Sequence, residues 1–596
     1  MISPSSDSTE SRRTPESCVS ETAPADASNH PLRGLFPTLR SSLTAASRQK
    51  WVLSGILLAA LALPAAAAPT WGDQGDGTFR NPVLWMDYNN PCVIRHGDDF
   101  YLTAATHHFM GMPILKSRDL VNWSHAGRIY QWLGGLSPDF ASPGLAYSAG
   151  SQDGEIGEHG GRFYMFNWSS RYRGFFCTAP HPAGPWTEPN PIRENLGGSW
   201  EDPCPFWDED GKAYLLMVGN PGPLKIFRLN ERFDAIVDQG ITLISDIAPK
   251  GPQVIKRDGF YYLLVARTGP DKAQFAYRAK SLYGPYESKL IYEDRTTDLQ
   301  AAQGSLVPVK GDEWAFLHHD YRMESPYGRR LYLQPAGWKS GWPWIGADPD
   351  GDGIGQPVGI DRPAKKPDLP PAPIDPATHS DEFAPGPLGG QWMWNHDPDD
   401  RHWSLSARPG WLRLGALPLA TRGGKSQYPA VEVRFYEDHL LFARNTAVQR
   451  ICGKVCTITT KLDTARMDDG QRAGLCTLSD NYTWIGVARE GGLRRIVFSK
   501  GNAANGPAPR VEGPTLDQNE LWLRLDYRDA KGTLSYSLDG SDFIPLGPHD
   551  QAYRSFWYEG TKVGLFSYRL STAQGDGVAD FDFLRQDHDG PKPAAR

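Results

Sequence analysis

The stretch VIKRDGFYYLLV, residues 254–265, decides the fold of this chain. It combines an apolar strand, a polar turn that carries a glycine, and an aromatic strand, which is the pattern of a β-hairpin. Four further segments repeat the pattern: VIRHGDDFYL (93–102), IGEHGGRFYMF (156–166), PFWDEDGKAYLLM (205–217) and LVPVKGDEWAFLH (306–318). The turn glycines, which lie 64, 50, 48 and 52 residues apart, are Gly97, Gly161, Gly211, Gly259 and Gly311.

This spacing suits one four-stranded blade, and no helix-length amphipathic stretch interrupts the series. We therefore predict an all-β fold that begins with a five-bladed β-propeller over residues 75–361. A chance run of hairpins within a sandwich is the weaker alternative, because the five copies are regular. The composition agrees, since 20 Trp, 24 Tyr and 24 Phe beside 62 Gly and 50 Pro favour a turn-rich β protein.

The net charge and the cysteine pattern argue against nucleic-acid binding, a disulfide framework and a zinc site. The formal net charge of −7 argues against a nucleic-acid partner, because no basic field would attract the phosphates. The seven Cys are scattered and follow neither a disulfide framework nor a zinc pattern.

The first 68 residues have the features of an export signal. Residues 1–50 are rich in Ser, Thr, Pro and Ala and are predicted to form a disordered extension. Residues 51–68 contain an apolar run, Pro64 and then small residues, after Arg48 and Lys50, which is typical of a secretory signal peptide. We expect a secreted or periplasmic protein with no membrane contact after cleavage. A retained signal anchor is the alternative.

A second domain is predicted after a stiff connector. Residues 362–378 contain six Pro and form a Pro-rich linker. Residues 379–587 contain short alternating strands with frequent Gly, which is typical of a two-sheet β-sandwich of the jelly-roll kind.

The propeller also predicts where the functional site lies, because the first strands of the blades converge on a central channel. Asn90, Asp202 and Gly251 each precede a Pro at the start of a first strand, and Glu155 takes the comparable place in the second copy. Because side chains alternate along a strand, Glu201 should face away from the side that Asp202 faces. Asp202 is taken as the residue that faces the channel.

These residues resemble glycoside hydrolase family 43, which includes β-xylosidases and α-L-arabinofuranosidases. The segments that carry the resemblance are NPVLWMDYNNPCVIRHGDDFYLT (81–103), DPCPFWDEDGKAYL (202–215), GPQVIKRDGFYYLL (251–264) and GRRLYLQPAGWKSGWPWIG (328–346). The segment DEFAPGPLGGQWMWNHDPDDRHWSL (381–405) resembles the concanavalin A-like sandwich of the xylosidase branch. The resemblance implies a sandwich that braces the propeller, although a sandwich that binds carbohydrate is the alternative.

The resemblance implies an inverting glycosidase with an Asp base, a Glu acid and an Asp that tunes the acid. Asp202 matches the tuning residue. Asn90 stands at the base position, Lys250 at the acid position, and Ala302 or Gln303 at the position of a fifth-blade His. An amide is a poor base, and an ammonium is a poor acid at its ordinary pKa.

Two functions remain open from the sequence. In the first, the chain is a glycosidase acting on pentose-containing plant poly- or oligosaccharides, with catalysis by other carboxyl groups near the channel. Those candidates are Glu155, which we favour, and Asp153, Glu158 and Asp87. In the second, an inactive propeller binds glycans, with Lys250 suited to an acidic sugar.

Further candidates complete the predicted pocket. Trp85 could stack on a sugar ring, although a core Trp is equally consistent. The other predicted contacts are His107, His108 and Phe109 after the first blade, Gln303, Arg329 and Asp87. No cofactor and no metal in the pocket are expected. Asp348, Asp350 and Asp352 resemble half of a calcium loop, so a structural calcium ion is an option beside a plain acidic turn.

Overall fold

The structure is a computed structural model and is almost entirely β. It describes residues 70–107, 109–140, 150–152, 154–169, 173–269, 271–297, 299, 302–321, 327–374, 379–419, 424–425, 432–433, 435–553 and 559–592. The predicted extension and signal peptide, as well as His108 and Asp153, lie outside these residues. No helix within these ranges is long and apolar enough to cross a membrane.

Three short strands precede the first sheet. They are β1 (Gly72–Asp73), β2 (Thr78–Arg80) and β3 (Leu84–Asp87). The first sheet contains β4 (Cys92–His96), β5 (Asp99–Thr103), β6 (Pro113–Ser117) and β7 (Trp123–Arg128). The second contains β8 (Gly154–His159), β9 (Arg162–Ser169), β10 (Arg173–Ala179) and β11 (Asn190–Pro191). In both sheets the strands pair in chain order and antiparallel.

Three further antiparallel sheets follow with the same strand order. The third contains β12 (Trp200–Trp207), β13 (Ala213–Gly219), β14 (Leu224–Arg228) and β15 (Ile241–Ile244). The fourth contains β16 (Pro249–Arg257), β17 (Phe260–Arg267), β18 (Ala273–Ala279) and β19 (Glu287–Glu293). The fifth contains β20 (Ala302–Lys310), β21 (Glu313–His319), β22 (Arg330–Lys339) and β23 (Trp342–Ile345). Each hairpin segment found in the sequence forms the first two strands of one sheet.

The first strands of the five sheets contact one another in a closed cycle. Strand β4 contacts β8, β8 contacts β12, β12 contacts β16, β16 contacts β20, and β20 returns to β4. Strand β3, which precedes the first sheet, pairs with β22 of the fifth and joins the two ends of this part of the chain. The β-propeller class predicted from the sequence is confirmed.

Side chains on the first strands bond to the main chain of the neighbouring sheet. Cys92 Sγ accepts the Ile156 N–H at 3.2 Å, between the first and second sheets. Gln253 accepts the Leu306 N–H at 2.8 Å and donates to the Leu306 carbonyl at 3.1 Å, between the fourth and fifth. We call these contacts the inter-sheet bonds.

The fifth sheet returns to the first through Ser305. Its hydroxyl donates to the Pro91 carbonyl at 3.1 Å and accepts the Val93 N–H at 3.1 Å. Ser305 is 1% exposed, so water cannot replace either bond. This residue therefore ties the last sheet of the cycle to the first.

The second half of the chain forms a two-sheet sandwich. Before it, β24 (Ala364–Lys365) pairs with β2. The short strands at the start of the sandwich are β25 (Met393–Trp394), β26 (Trp403–Ser404), β27 (Leu412–Gly415), β28 (Leu417–Pro418), β29 (Gly424–Lys425) and β30 (Glu432–Val433). Two 3₁₀ turns span Asp400–His402 and Leu440–Phe442. The predicted β-sandwich class is confirmed.

The longer strands follow. They are β31 (Ala447–Arg450), β32 (Val455–Asp463), β33 (Gln471–Leu478), β34 (Asn481–Glu490), β35 (Leu493–Asn502), β36 (Gly506–Pro507), β37 (Val511–Thr515), β38 (Glu520–Arg528), β39 (Lys531–Ser537), β40 (Ile544–Pro545), β41 (Gln551–Ala552), β42 (Lys562–Arg569) and β43 (Val578–His588). One sheet has the order β25-β31-β42-β33-β34-β35-β36, with β28 and β37 alongside. The other has the order β26-β27-β43-β32-β38-β39-β40, with β41 alongside.

The propeller and the sandwich share one apolar core. Met112, in the loop before β6, and Leu133, in the loop after β7, belong to the same buried cluster as Trp392 and Leu523 of the sandwich. In addition, Met110 exchanges main-chain hydrogen bonds with Trp394 at 2.8 and 2.9 Å. Because apolar burial is continuous across the junction, the two parts stabilise each other.

We predict that Ser305→Ala lowers the free energy of unfolding by about 2 kcal/mol, because it leaves the Val93 N–H buried without an acceptor. Urea denaturation followed by tryptophan fluorescence measures the change. Ser288→Ala, at an exposed position of β19, is the control and should leave the midpoint unchanged. Equal midpoints for both variants would show that the Ser305 bonds do not stabilise the cycle.

Candidate active site

A small pocket lies where the first strands of all five sheets begin. Its lining residues are Asn90, Pro91, Gly154, Glu155, Asp202, Gly251, Pro252, Gln303 and Gly304. Each sheet thus contributes one or two residues from the same end of its first strand. Asn90, Glu155, Asp202 and Gln303, all proposed from the sequence, are brought together here.

An unusual backbone conformation recurs at this end of the strands. Asn90, Asp202, Gly251 and Gln303 have φ angles of 48°, 53°, 51° and 58°, which is the left-handed region. The strand register shifts around the last three of them, as in a β-bulge. A Cβ on Gly251 would lie 2.5 Å from Gln303 Cγ, so only glycine fits there.

This repeated conformation identifies equivalent positions in the sheets. Gln303, and not its neighbour Ala302, is equivalent to Asp202 and lines the pocket. Lys250, in contrast, precedes the left-handed residue Gly251. Its counterpart in the third sheet is therefore Glu201 rather than Asp202.

Within the described residues, Asp202 and Glu155 are the two carboxyl groups that line the pocket. Asp202 is 3% exposed, and its Oδ2 accepts the N–H of Gly251 at 2.8 Å. Glu155 is half-buried on β8. Burial, and secondarily the charge of Glu155, raises the pKa of the thiols of Cys92 and Cys204 well above the ordinary value, so both thiols are neutral beside this carboxyl group.

Hydrogen bonds to residues outside the pocket lining hold Asn90 in place. Its N–H donates to His319 Nδ1 at 3.0 Å, and its Oδ1 accepts from Arg329 Nη1 at 3.0 Å. The Arg329 guanidinium lies 4.3 Å above the ring of Tyr321, whose hydroxyl donates to Gln303 Oε1. Burial first, and then the charge of Arg329, holds the pKa of His319 well below its usual range, so this imidazole is neutral.

His319 and Tyr321 were not predicted from the sequence. Both belong to the segment HHDY (318–321), where polar residues suddenly end the aromatic strand β21. That change in character was the available signal. Arg329, predicted as a pocket residue, does reach Asn90 but does not line the pocket itself.

Lys250 forms an ion pair with Glu201 on the neighbouring sheet. Glu201 also accepts from the side-chain amide of Asn220 at 2.9 Å. Neither Lys250 nor Glu201 is among the residues that line the pocket. The cation at the family's acid position is thus neutralised by a carboxylate that arrives from β12.

Asp87 and Trp85 lie at the junction with the sandwich rather than in the pocket. Asp87 is buried and forms an ion pair with Lys562 at 2.7 Å. Its carboxylate also accepts main-chain N–H groups of Arg329 at 3.3 Å and Gly560 at 3.1 Å. Trp85 packs against the Arg330 guanidinium at 4.5 Å and edge-on to Tyr327 at 5.5 Å.

The loop between β5 and β6 of the first sheet also faces the sandwich. Phe109 is 3% exposed and belongs to an apolar cluster otherwise formed by sandwich residues. His107 is buried, and its carbonyl accepts the Gly150 N–H at 2.9 Å. Neither His107 nor Phe109 lines the pocket. Glu158, on β8, does not line it either and is exposed.

The acidic turn after the fifth sheet brings three carboxylates together. Asp348, Asp350 and Asp352 each place an oxygen within 4.8 Å of the others. Arg295 Nη1 donates to Asp350 at 3.2 Å and to Asp352 at 2.7 Å, so a cationic side chain already neutralises part of their charge. These contacts are those of a plain acidic turn, and a structural calcium ion stays a prediction.

The chain matches two family models. The model of glycosyl hydrolases family 43 matches residues 79–343, which contain all five sheets except the last two residues of the fifth sheet. The model of the beta-xylosidase C-terminal concanavalin A-like domain matches residues 380–586.

Named relatives match over most of their length. The beta-xylosidase of Formosa agariphila is 31% identical over 570 residues, which is 89% of this chain and 93% of that protein. The putative beta-xylosidase of Xylanibacter ruminicola is 33% identical over 514 residues, or 83% of this chain and 88% of the relative. Among solved structures, the GH43 protein BlXynB of Bacillus licheniformis superposes with a TM-score of 0.70 at 26% identity, covering 85% of this chain and 99% of that one.

We predict that Asp87→Asn lowers the free energy of unfolding by about 3 kcal/mol, because it removes the closer of the two carboxylates beside the buried Lys562. Catalytic constants of the folded variant should change little, since Asp87 lies outside the pocket. Urea denaturation and steady-state kinetics measure the two effects. Glu382→Gln, which breaks an exposed ion pair with Arg585, is the control and should cost less than about 1 kcal/mol. Unchanged stability with weakened substrate binding would restore Asp87 as a pocket residue.

We also predict that Lys250→Glu destabilises the protein by about 2–3 kcal/mol, because it places a second carboxylate beside the mostly buried Glu201. Adding Glu201→Gln should recover most of that loss. Urea midpoints of the single and double variants test this. Additive effects of the two substitutions would show that Lys250 and Glu201 do not act as a pair.

Proposed function

The chain belongs to glycosyl hydrolase family 43, and from that premise we propose that it releases single pentose units, xylose or arabinofuranose, from plant-type poly- or oligosaccharides. The observation that carries the proposal is the presence of Glu155 and Asp202 in one pocket, on the first strands of separate sheets. Hydrolysis of a glycosidic bond with inversion needs two such groups, one to protonate the leaving oxygen and one to activate water.

We assign different roles to the two carboxyl groups. Asp202 Oδ2 accepts the Gly251 N–H, and a hydrogen bond of this kind favours the ionised form. We therefore propose that Asp202, the counterpart of the family's tuning residue, accepts the proton of the attacking water because Asn90 cannot. Glu155, which lies beside two neutral thiols, then donates the proton to the leaving oxygen.

Three further described carboxyl groups near the first strands do not line the pocket. Glu201 is paired with Lys250, and Asp87 is paired with Lys562. Glu158 is exposed at the far end of β8. Asn90 accepts a hydrogen bond from Arg329, and Gln303 accepts one from Tyr321. Both side chains are therefore suited to hydrogen-bond sugar hydroxyls in a fixed orientation.

The relatives support the choice of substrate, because those with 31% and 33% identity are named beta-xylosidase and putative beta-xylosidase, respectively. The signal-like segment at residues 51–68 supports export to the periplasm or the medium, where plant polysaccharide is met. An inactive glycan-binding propeller, the alternative from the sequence, gains no support, since the pocket retains two carboxyl groups.

We predict that Glu155→Gln lowers kcat on an unactivated xylo- or arabino-oligosaccharide by about 10²–10⁴-fold, because the leaving oxygen is no longer protonated. On a dinitrophenyl glycoside, whose leaving group needs no proton, the loss should be far smaller. Asp202→Asn should slow both substrates alike. Glu158→Gln, an exposed carboxylate on the same strand, is the control and should retain the wild-type rate.

Product analysis by proton NMR during the reaction tests the rest of the proposal. Wild-type enzyme should first release the sugar with inverted anomeric configuration. A first product with retained configuration would contradict the assignment of Asp202 as base. Wild-type turnover of the oligosaccharide by Glu155→Gln would contradict the assignment of Glu155 as acid.

A further inference from the structure

Arg450 ends β31 at the junction between the propeller and the sandwich and is 1% exposed. Three other arginines are buried in the described part of the chain, and each bonds to other side chains. Arg472 bonds to Asp438 and Glu490, Arg330 to Asp320, and Arg329 to Asn89 and Asn90. Arg450 differs from all of them.

The contacts of Arg450 satisfy only one of its nitrogens. Nε donates to the main-chain carbonyl of Asp87, and the guanidinium lies 4.5 Å from the centre of the Tyr88 ring. Nη1 and Nη2 are buried, and neither has a hydrogen-bond partner in the protein. The side-chain carboxylate of Asp87 does not serve Arg450, because Lys562 holds it at 2.7 Å.

Two further polar side chains beside Arg450 are buried and can donate hydrogen bonds. The Tyr88 hydroxyl and both ring nitrogens of His125 are buried without a hydrogen-bond partner. Burial first, and then the charges of Arg450 and Arg128, lowers the pKa of His125 to about 3, so its ring is neutral and offers one N–H. Burial raises the pKa of Tyr88 to about 12, so its hydroxyl keeps its proton.

The charges around this cluster leave a positive excess. Arg450, Arg128 and Lys562 are cationic, whereas Asp87 and Glu559 are the carboxylates beside Lys562, at 2.7 and 3.9 Å. Arg128 donates to the carbonyls of Leu388 and Gly389, which carry no charge. A buried cation with unsatisfied donors is costly, and a negatively charged acceptor removes both penalties at once.

We propose that this junction binds a small monovalent inorganic anion of the size of chloride, held by Nη1 and Nη2 of Arg450. A water molecule is the less suitable occupant, because it cannot offset the charge of the buried guanidinium. Tyr88 and His125, on the propeller side, supply further donors. The anion therefore stabilises the contact between the two parts of the chain.

Bromide locates the site directly. Crystals of the full chain grown with sodium bromide should show an anomalous scattering peak in contact with Arg450 Nη1 and Nη2. Ordered water at that position, with no anomalous signal, would overturn the proposal. This measurement uses the unaltered protein and does not depend on any variant folding.

Thermal unfolding tests the same proposal in solution. Chloride and bromide should raise Tm by about 2–4 °C relative to gluconate at equal ionic strength, because the anion binds only the folded state. Arg450→Gln, which keeps length and polarity but removes the charge, should lose this difference. Arg585→Gln, at an exposed sandwich arginine, should retain it. Equal Tm values in all the salts for the wild type would contradict anion binding.

Discussion

The inter-sheet bonds are the constraint on which the rest of the structure depends. Cys92, Gln253 and Ser305 each lie two residues after a left-handed residue and bond to the main chain of an adjacent first strand. Cys204, in the third sheet, stands at the same offset, and its thiol accepts from the main chain of Val254. Since the left-handed residues themselves line the pocket, the bonds that close the cycle also set the distances across it.

Asp202 takes part in both tasks. Its carboxylate lines the pocket and also bonds to the main chain of Gly251 on the next sheet. That bond orients the carboxylate, so the same contact serves the fold and the chemistry that we propose. Lys250 and Glu201, one residue earlier on each of these two strands, join the same sheets by charge.

Local sequence patterns predicted the hairpins, the sandwich and the residues at the starts of the first strands, because each depends on neighbours close in the chain. Asp87, Trp85 and Phe109 were predicted in the pocket, yet their partners come from distant parts of the chain; Lys562 is 475 residues from Asp87. The pairing of Lys250 with Glu201 also escaped prediction. Alternation along a strand placed Glu201 opposite Asp202 but could not show which residue of the next sheet it meets, since the β-bulges shift the register.

The shared apolar core and the Asp87–Lys562 pair bear on how such a molecule is inherited. Cutting the gene within the Pro-rich connector would expose Met112 and Leu133 to water on the first fragment. It would leave the Lys562 ammonium of the second fragment without the Asp87 carboxylate. Neither half could be exchanged for an unrelated module without redesigning both faces. Recombination should therefore transmit the two halves together, as one evolutionary unit.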